Sequence, residues 1–192
     1  MSRPSELQLT NVTVGDLTSN PRGGKTAPIL CDGKQIRLKL RGATTPFACS
    51  AYDSKSNRRA LDIRTDKELR AFCERLDAAI LPFAGKLTCQ AAGYKSLAKA
   101  QKEGYEPLFR QKITLDDDGH TPVKFYTADK KRMTKEQIAA IEWRDVEMDI
   151  NLTISSVFVN AGNWGCVASP QSILVRSHDS CEFSGGEEET FD

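Results

Sequence analysis

Gln35 to Arg41 reads QIRLKLR, with its apolar residues on every second position: Ile36, Leu38 and Leu40 face one way, and Arg37, Lys39 and Arg41 the other. That period predicts a half-buried strand whose outward face is entirely basic. The longest alternation runs from Val146 to Val159, where Val146, Met148, Ile150, Leu152 and Ile154 alternate with Glu147, Asp149, Asn151, Thr153 and Ser155. At Ser155-Ser156 the phase slips by one, so Val157 and Val159 return to the core and Phe158 falls on the polar face. A β-bulge produces such a slip and bends the strand, as barrels require.

Shorter patterns fill in the rest. Glu6 to Asp16 alternates in part and predicts a strand, followed by a loop, TSNPRGGK, that carries Arg22 and Lys25. Phe47 to Tyr52 and Ala60 to Arg64 predict short strands on either side of DSKSNRR, a polar turn rich in positive charge. Thr65-Asp-Lys-Glu68 has the capping-box spacing, and Leu69, Phe72, Leu76 and Ile80 then recur at helical intervals up to Pro82. YKSLAKAQKEGY suggests a second helix ending near Gly104 and Pro107. Leu108 to Leu115 and Val123 to Tyr126 read as a hairpin joined by Asp116-Asp-Asp-Gly119, and Thr134 can start a short helix. The turn NAGNWG leads to a final strand, Ser172 to Arg176. Strands dominate, so the expected fold is mainly β: a small closed β-barrel of the oligonucleotide-binding (OB-fold-like) type with one or two inserted α-helices.

Composition narrows the class. With 192 residues, 39% apolar, the chain supports one sizeable core, expected over 1–177, followed by a disordered acidic tail, 178–192. No stretch approaches the roughly 18 apolar residues of a membrane span, and the N-terminus lacks the regions of a signal peptide, so a soluble, intracellular protein is expected. Six cysteines without a Cys-x-x-Cys pair, and only two histidines, argue for reduced core thiols rather than a zinc site. The sequons at Asn11 and Asn151 carry no weight in such a chain.

Charge changes the picture further. The net charge of +1 conceals a body of +7 before His178 and a tail of −6 after it, an asymmetry that points towards nucleic acid.

Enzymatic chemistry finds little support. Asp116 to His120 lacks the bidentate glutamate of a calcium loop and is better read as a turn, although Asp116 to Asp118 would be the place for a metal-dependent nuclease. Gly23-Gly24-Lys25-Thr26 lacks the first glycine of a phosphate loop and a clear following helix. No catalytic residue, metal or cofactor is expected.

Single-strand binding instead needs cations for phosphates and exposed aromatics on which bases stack. Arg37, Lys39, Arg41, Arg110, Lys112 and Lys124 supply the former; Tyr126 and Phe158, with Tyr52 and Trp164 in or beside turns, supply the latter. Glu147 and Asp149 oppose this role unless they lie at a rim or pair with arginines of the adjacent strand. Phe47, Phe72, Phe83, Phe109 and Phe125 fall on apolar phases and are expected in the core, as is Trp143, which follows a helix-like segment and can cap the barrel, while Tyr94 and Tyr105 stay open.

The stretches YEPLFRQKITL, VKFY and DVEMDINLTISSVFVNAGNWGCVASPQSILVR, followed by the glycine-hinged tail GGEEETFD, resemble in order and spacing the replication single-stranded DNA-binding proteins of bacteriophages and some large DNA viruses. The resemblance implies an OB-fold that coats single-stranded DNA without sequence preference in replication and recombination. It also implies a tail that competes for the DNA groove and recruits polymerase and helicase. Glu187, Glu188, Glu189 and Phe191 are the tail residues it singles out, with Asp192 rather than an aromatic at the end. A homodimer is left open. The alternative, from a different class, is a virion or scaffold protein whose acidic tail docks a basic partner.

Overall fold

The alternation that begins at Val146 forms the spine of the molecule, a strand from Glu147 to Asn160 that turns directly into a second long strand, Asn163–Val175. The computed structural model describes residues 2–19, 24–51, 57–99 and 105–176. In chain order the strands are β1 (Val12–Val14), β2 (Thr18–Ser19), β3 (Lys25–Cys31), β4 (Ile36–Thr44), β5 (Ser50–Ala51), β6 (Arg58–Arg64), β7 (Ala98–Lys99), β8 (Leu108–Thr114), β9 (Lys124–Tyr126), β10 (Glu147–Asn160) and β11 (Asn163–Val175). The helices are α1 (Lys67–Ile80) and α2 (Lys135–Ala139).

One edge of β10 pairs with β4 along its first half and with β3 along its second; the other edge pairs with β11. Strand β9 adds to β11 in parallel, and β1 and β2 add to β3. A separate four-stranded sheet runs β5-β6-β8-β7. Because β4 lies beside β6 and β8 beside β11, five strands form a ring in the order β4-β10-β11-β8-β6. The fold is thus mainly β and OB-fold-like with inserted helices, as expected, but its hydrogen-bonded ladder is open at two seams rather than closed.

The bulge sits where the phase slips: the register of β10 against β11 shifts between Ile154 and Ser156, and Phe158 is left on the outer face while Val157 is buried. A second bulge lies in β4, where Arg41 and Gly42 stand opposite Asp149 and Gly42 adopts φ +60°. Inside, Ile36, Leu38, Met148, Ile150, Leu152 and Ile154 meet Leu61, Ile63, Phe109 and Ile113 in one continuous core. Helix α1 seals it with Leu69, Phe72, Cys73, Leu76 and Ile80.

Several expectations need correction. The capping residue of α1 is Asp66, whose carboxylate accepts from the Leu69 amide at 2.7 Å; Thr65 instead donates its hydroxyl to the Pro107 carbonyl. The second helix, over YKSLAKAQKEGY, does not form over its described residues. Ala91–Gly93 make a short 3-10 turn, Tyr94 bridges to Trp164, and Ala98–Lys99 pair with β8. The hairpin between Leu108–Leu115 and Val123–Tyr126 is also overturned, because β8 pairs with β6 and β7 while β9 joins β11. The Asp116–Gly119 turn between them is real. Gly119 (φ +82°) is packed so closely under α2 that a Cβ would stand 1.9 Å from the Lys135 carbonyl oxygen.

Other differences concern boundaries. Regular pairing near the N-terminus is confined to Val12–Val14, strand β3 begins within the expected loop, and the last strand starts at Asn163 rather than Ser172. Phe47, expected in the core, is 52% exposed because it lies past the end of β4. Phe72, Phe109, Phe125 and Trp143 are buried as expected, and Phe83 is half-buried. Helix α2 begins at a full capping box, Thr134 with Gln137.

Candidate nucleic-acid interface

The residues singled out by sequence divide between two surfaces on opposite sheets. What we call the back face is the outer side of β4, of the first half of β10 and the second half of β11, and of β9; beyond the bulge the outer side of β10, with Phe158, turns towards β8 and belongs to the front. Ladder pairing aligns Arg37 with Thr153 and Ser169, and one row over it aligns Lys39, Asn151, Ser172 and Lys124. Asn151 donates its amide to the Ser172 hydroxyl at 2.9 Å, which fixes the middle of the second row. Tyr126 closes this face at the edge strand, half-buried, with the Arg132 guanidinium 5.6 Å from its ring centre.

The acids on this face are answered as expected. Arg176, one residue beyond β11, donates to both carboxylate oxygens of Asp149 at 3.0 Å and lies 3.5 Å from Glu147. Partial burial opposes ionisation of Asp149, but hydrogen bonds from Arg176 and from the Gly42 amide outweigh it and hold the carboxyl below its ordinary range.

The front face is the outer side of β6 and β8, with Arg58 opposite Thr114, Ala60 opposite Lys112, Asp62 opposite Arg110 and Arg64 opposite Leu108. Arg110 is forked onto Asp62, with nitrogen-oxygen distances of 2.8 and 2.6 Å, so its charge is largely spent within the sheet. Lys112 behaves differently. Its ammonium stands 5.0 Å from the centre of the Phe158 ring, across the seam between the two sheets. Partial burial, and then repulsion from Arg58, lower its affinity for its proton. Phe158 covers Gly165, its cross-strand neighbour, and leaves the other side of its ring towards Lys112.

Two candidates leave the list or pass beyond it. Trp164 is fully buried, donates its indole N–H to the Gln90 carbonyl at 2.8 Å and packs edge-on against Tyr94 at 4.8 Å. It cannot stack a base; the turn that seemed to expose it is only two residues long and returns it at once to the ladder. Tyr52 and the tail residues Glu187, Glu188, Glu189 and Phe191 lie outside the described residues. Arg58 and Arg64 were missed, although RRALDIR alternates in the same way as QIRLKLR. Tyr105, left open by sequence, is 70% exposed.

Asp116, Asp118 and His120 bring ligand atoms within 4.8 Å of one another, but at the surface. Asp116 is already engaged by the His120 backbone N–H at 2.7 Å, a contact that lowers its pKa and holds the turn. Among the described residues no helix is long and apolar enough to cross a membrane.

Five ring strands in this order, a helix between the second and third, and cationic outer faces define an oligonucleotide-binding-type barrel. Solved structures of one phage single-stranded DNA-binding protein share the fold. The protein of bacteriophage Enc34 aligns over 94% of this chain and 96% of its own, at 10% identity and a TM-score of 0.50. A C-terminally truncated form of it aligns over 79% and 91%, at 11% identity and a TM-score of 0.51. Bacteriophage T7 gp2.5, also a single-stranded DNA-binding protein, aligns over 80% and 98%, at 12% identity and a TM-score of 0.46. No protein-family model and no curated protein matches the sequence.

Proposed function

We propose that this chain is a non-enzymatic single-stranded DNA-binding protein of DNA replication and recombination, which coats strands without sequence preference. The observation that carries the reading is the Lys112–Phe158 pair on the front face. An ammonium that is partly desolvated over a ring and repelled by Arg58 gains from a phosphate, and displacing it frees an aromatic surface for a base. In OB-folds the second and third strands commonly carry the nucleic acid, and here those strands are β6 and β8. The Enc34 protein, whose fold this chain shares, has been solved in complex with single-stranded DNA. Phosphates then run past Arg58, Lys112 and Arg64, and Phe158 stacks a base.

The tail reading rests on sequence alone: Glu187 to Glu189 imitate phosphates in the basic groove, Phe191 imitates a base, and the same segment recruits a polymerase or helicase. Titrating the full chain and a form lacking 178–192 with labelled oligothymidine across a salt series tests both parts. Binding is expected to weaken steeply with salt because phosphate contacts release counterions. Deleting the tail is expected to strengthen it. No binding by either form at low salt sinks the DNA reading, and equal affinities return the tail to a solubilising role.

A further inference from the structure

The two faces are joined. A cleft of about 410 Å³ runs over the barrel rim between the second half of β4, the end of β6 and the start of α1, lined by the cations Arg3, Lys39, Arg41 and Arg64. Its two acids are engaged with backbone: Asp66 caps α1, and Glu68 accepts from the Ser5 amide at 2.9 Å. At the front end Arg64 stands opposite Leu108, which with Lys99 and Arg110 lines a hollow of about 290 Å³. At the back end Lys39 lines both the rim cleft and a hollow of about 340 Å³ that includes Tyr126, Lys130 and Ser172. The rim cleft and the back hollow thus share Lys39, and Arg64 of the rim cleft stands across the ladder from Leu108 of the front hollow.

We infer that a single strand longer than the front face continues through the rim cleft, past Arg64 and Arg41, onto the back face, where Arg37, Lys39 and Lys124 take further phosphates and Tyr126 a further base. The inference rests on the front-face reading above and extends it. Two features favour a nucleic-acid strand as the occupant. The row Lys39-Asn151-Ser172-Lys124 places cations at both ends of a span of about 14 Å, three ladder steps, with hydrogen-bonding groups between them. Arg176 engages both back-face acids, Glu147 and Asp149, the latter lining the same hollow, and with Arg37, Lys39 and Lys124 beside it the cations outnumber them, so the face stays net positive. A strand bound on both faces should have a larger footprint and a steeper salt dependence than one bound on the front alone.

The test compares labelled oligothymidines of about 6 and about 16 nucleotides, within the roughly 4–16 that OB-fold site sizes span, on the full chain. In Arg37→Gln/Lys39→Gln/Lys124→Gln, affinity for the long strand is expected to fall about tenfold, with the salt slope shallower by about 2. Short-strand affinity is expected to hold within about twofold, because none of the three residues lies on the front face. Ser172→Glu, which puts one acid in the middle of the row, should act in the same direction and guards against misfolding of the triple variant, as does its melting curve. Long-strand binding unchanged in both variants overturns the inference, and so does equal weakening of both strands. If the unmodified chain binds neither strand, the front-face reading itself has failed.

Discussion

The two faces carry similar numbers of cations and use them differently. On the back, Arg37, Lys39 and Lys124 stand over serine, threonine and asparagine, and the acids of β10 are tied to Arg176. The surface is regular, and Lys39 and Lys124 stand in outward-facing register. On the front, Arg110 is forked onto Asp62 and Arg64 is paired with Asp145 at 3.1 Å, while Lys112 is held over an aromatic ring and repelled by Arg58. Cation number alone does not distinguish a solvated face from a binding face. A lysine that is costly to keep charged where it stands has something to gain from a phosphate, and a ring beside it has something to gain from a base.

The contrast is sharpest at two aromatics of one hairpin. Trp164→Ala is expected to cost about 3–5 kcal/mol of stability, because it empties a fully buried site and leaves the Gln90 carbonyl without its donor. Thermal or urea unfolding reads that loss, and DNA affinity measured on the fraction still folded should stay near that of the unmodified chain. Phe158→Ala should do the reverse. Binding of a short oligothymidine is expected to fall by about 1–3 kcal/mol, the worth of one stacked base, with a smaller change in melting temperature. A binding defect in the tryptophan variant that exceeds its unfolded fraction would restore Trp164 to the interface.

Sequence carried the local half of this picture well. The alternation of QIRLKLR, the phase slip at Ser155-Ser156 and the helical spacing from Leu69 to Ile80 reappear as β4, the bulge in β10 and α1, because each is a pattern written within a few residues. Pairing is not local. KFY reads as the partner of LFRQKIT by proximity, yet β9 lies in parallel beside β11, and no turn residue records that choice. The two basic faces could not be separated for the same reason: Arg37 and Lys112 share a pattern, and only the order of strands around the ring places them on different sheets. Trp164 was misread because a turn neighbour looks exposed until the ladder is known to resume at Asn163.

A smaller effect is expected where the front face has spent a charge. Asp62→Asn keeps an oxygen acceptor for Arg110 but removes the carboxylate, whose side chain is 11% exposed. The face then gains one positive charge, so short-strand affinity should rise about threefold and its salt slope steepen by about 0.7. Unchanged affinity and slope would show that Arg110 lies outside the path of the strand.

The smallest effect belongs to the back. Arg176→Gln removes the partner of Asp149 and Glu147, and because the arginine is exposed and screened by solvent, the stability cost should be small. Its pH dependence has a definite sign. The Asp149 carboxyl titrates below its unfolded value, so the stability it contributes is present above the ordinary carboxylate range and disappears as pH falls through the folded value. The gap between the unmodified chain and the variant should therefore be full at neutral pH and narrow as the pH falls through and below the carboxylate range, as a series of melting curves would read. At neutral pH the variant also uncovers Glu147 and Asp149, the latter in the same hollow as Lys39, which should weaken a long strand while leaving a short one on the front face untouched. If both strands weaken together, the two faces act as one surface and the distinction between them falls.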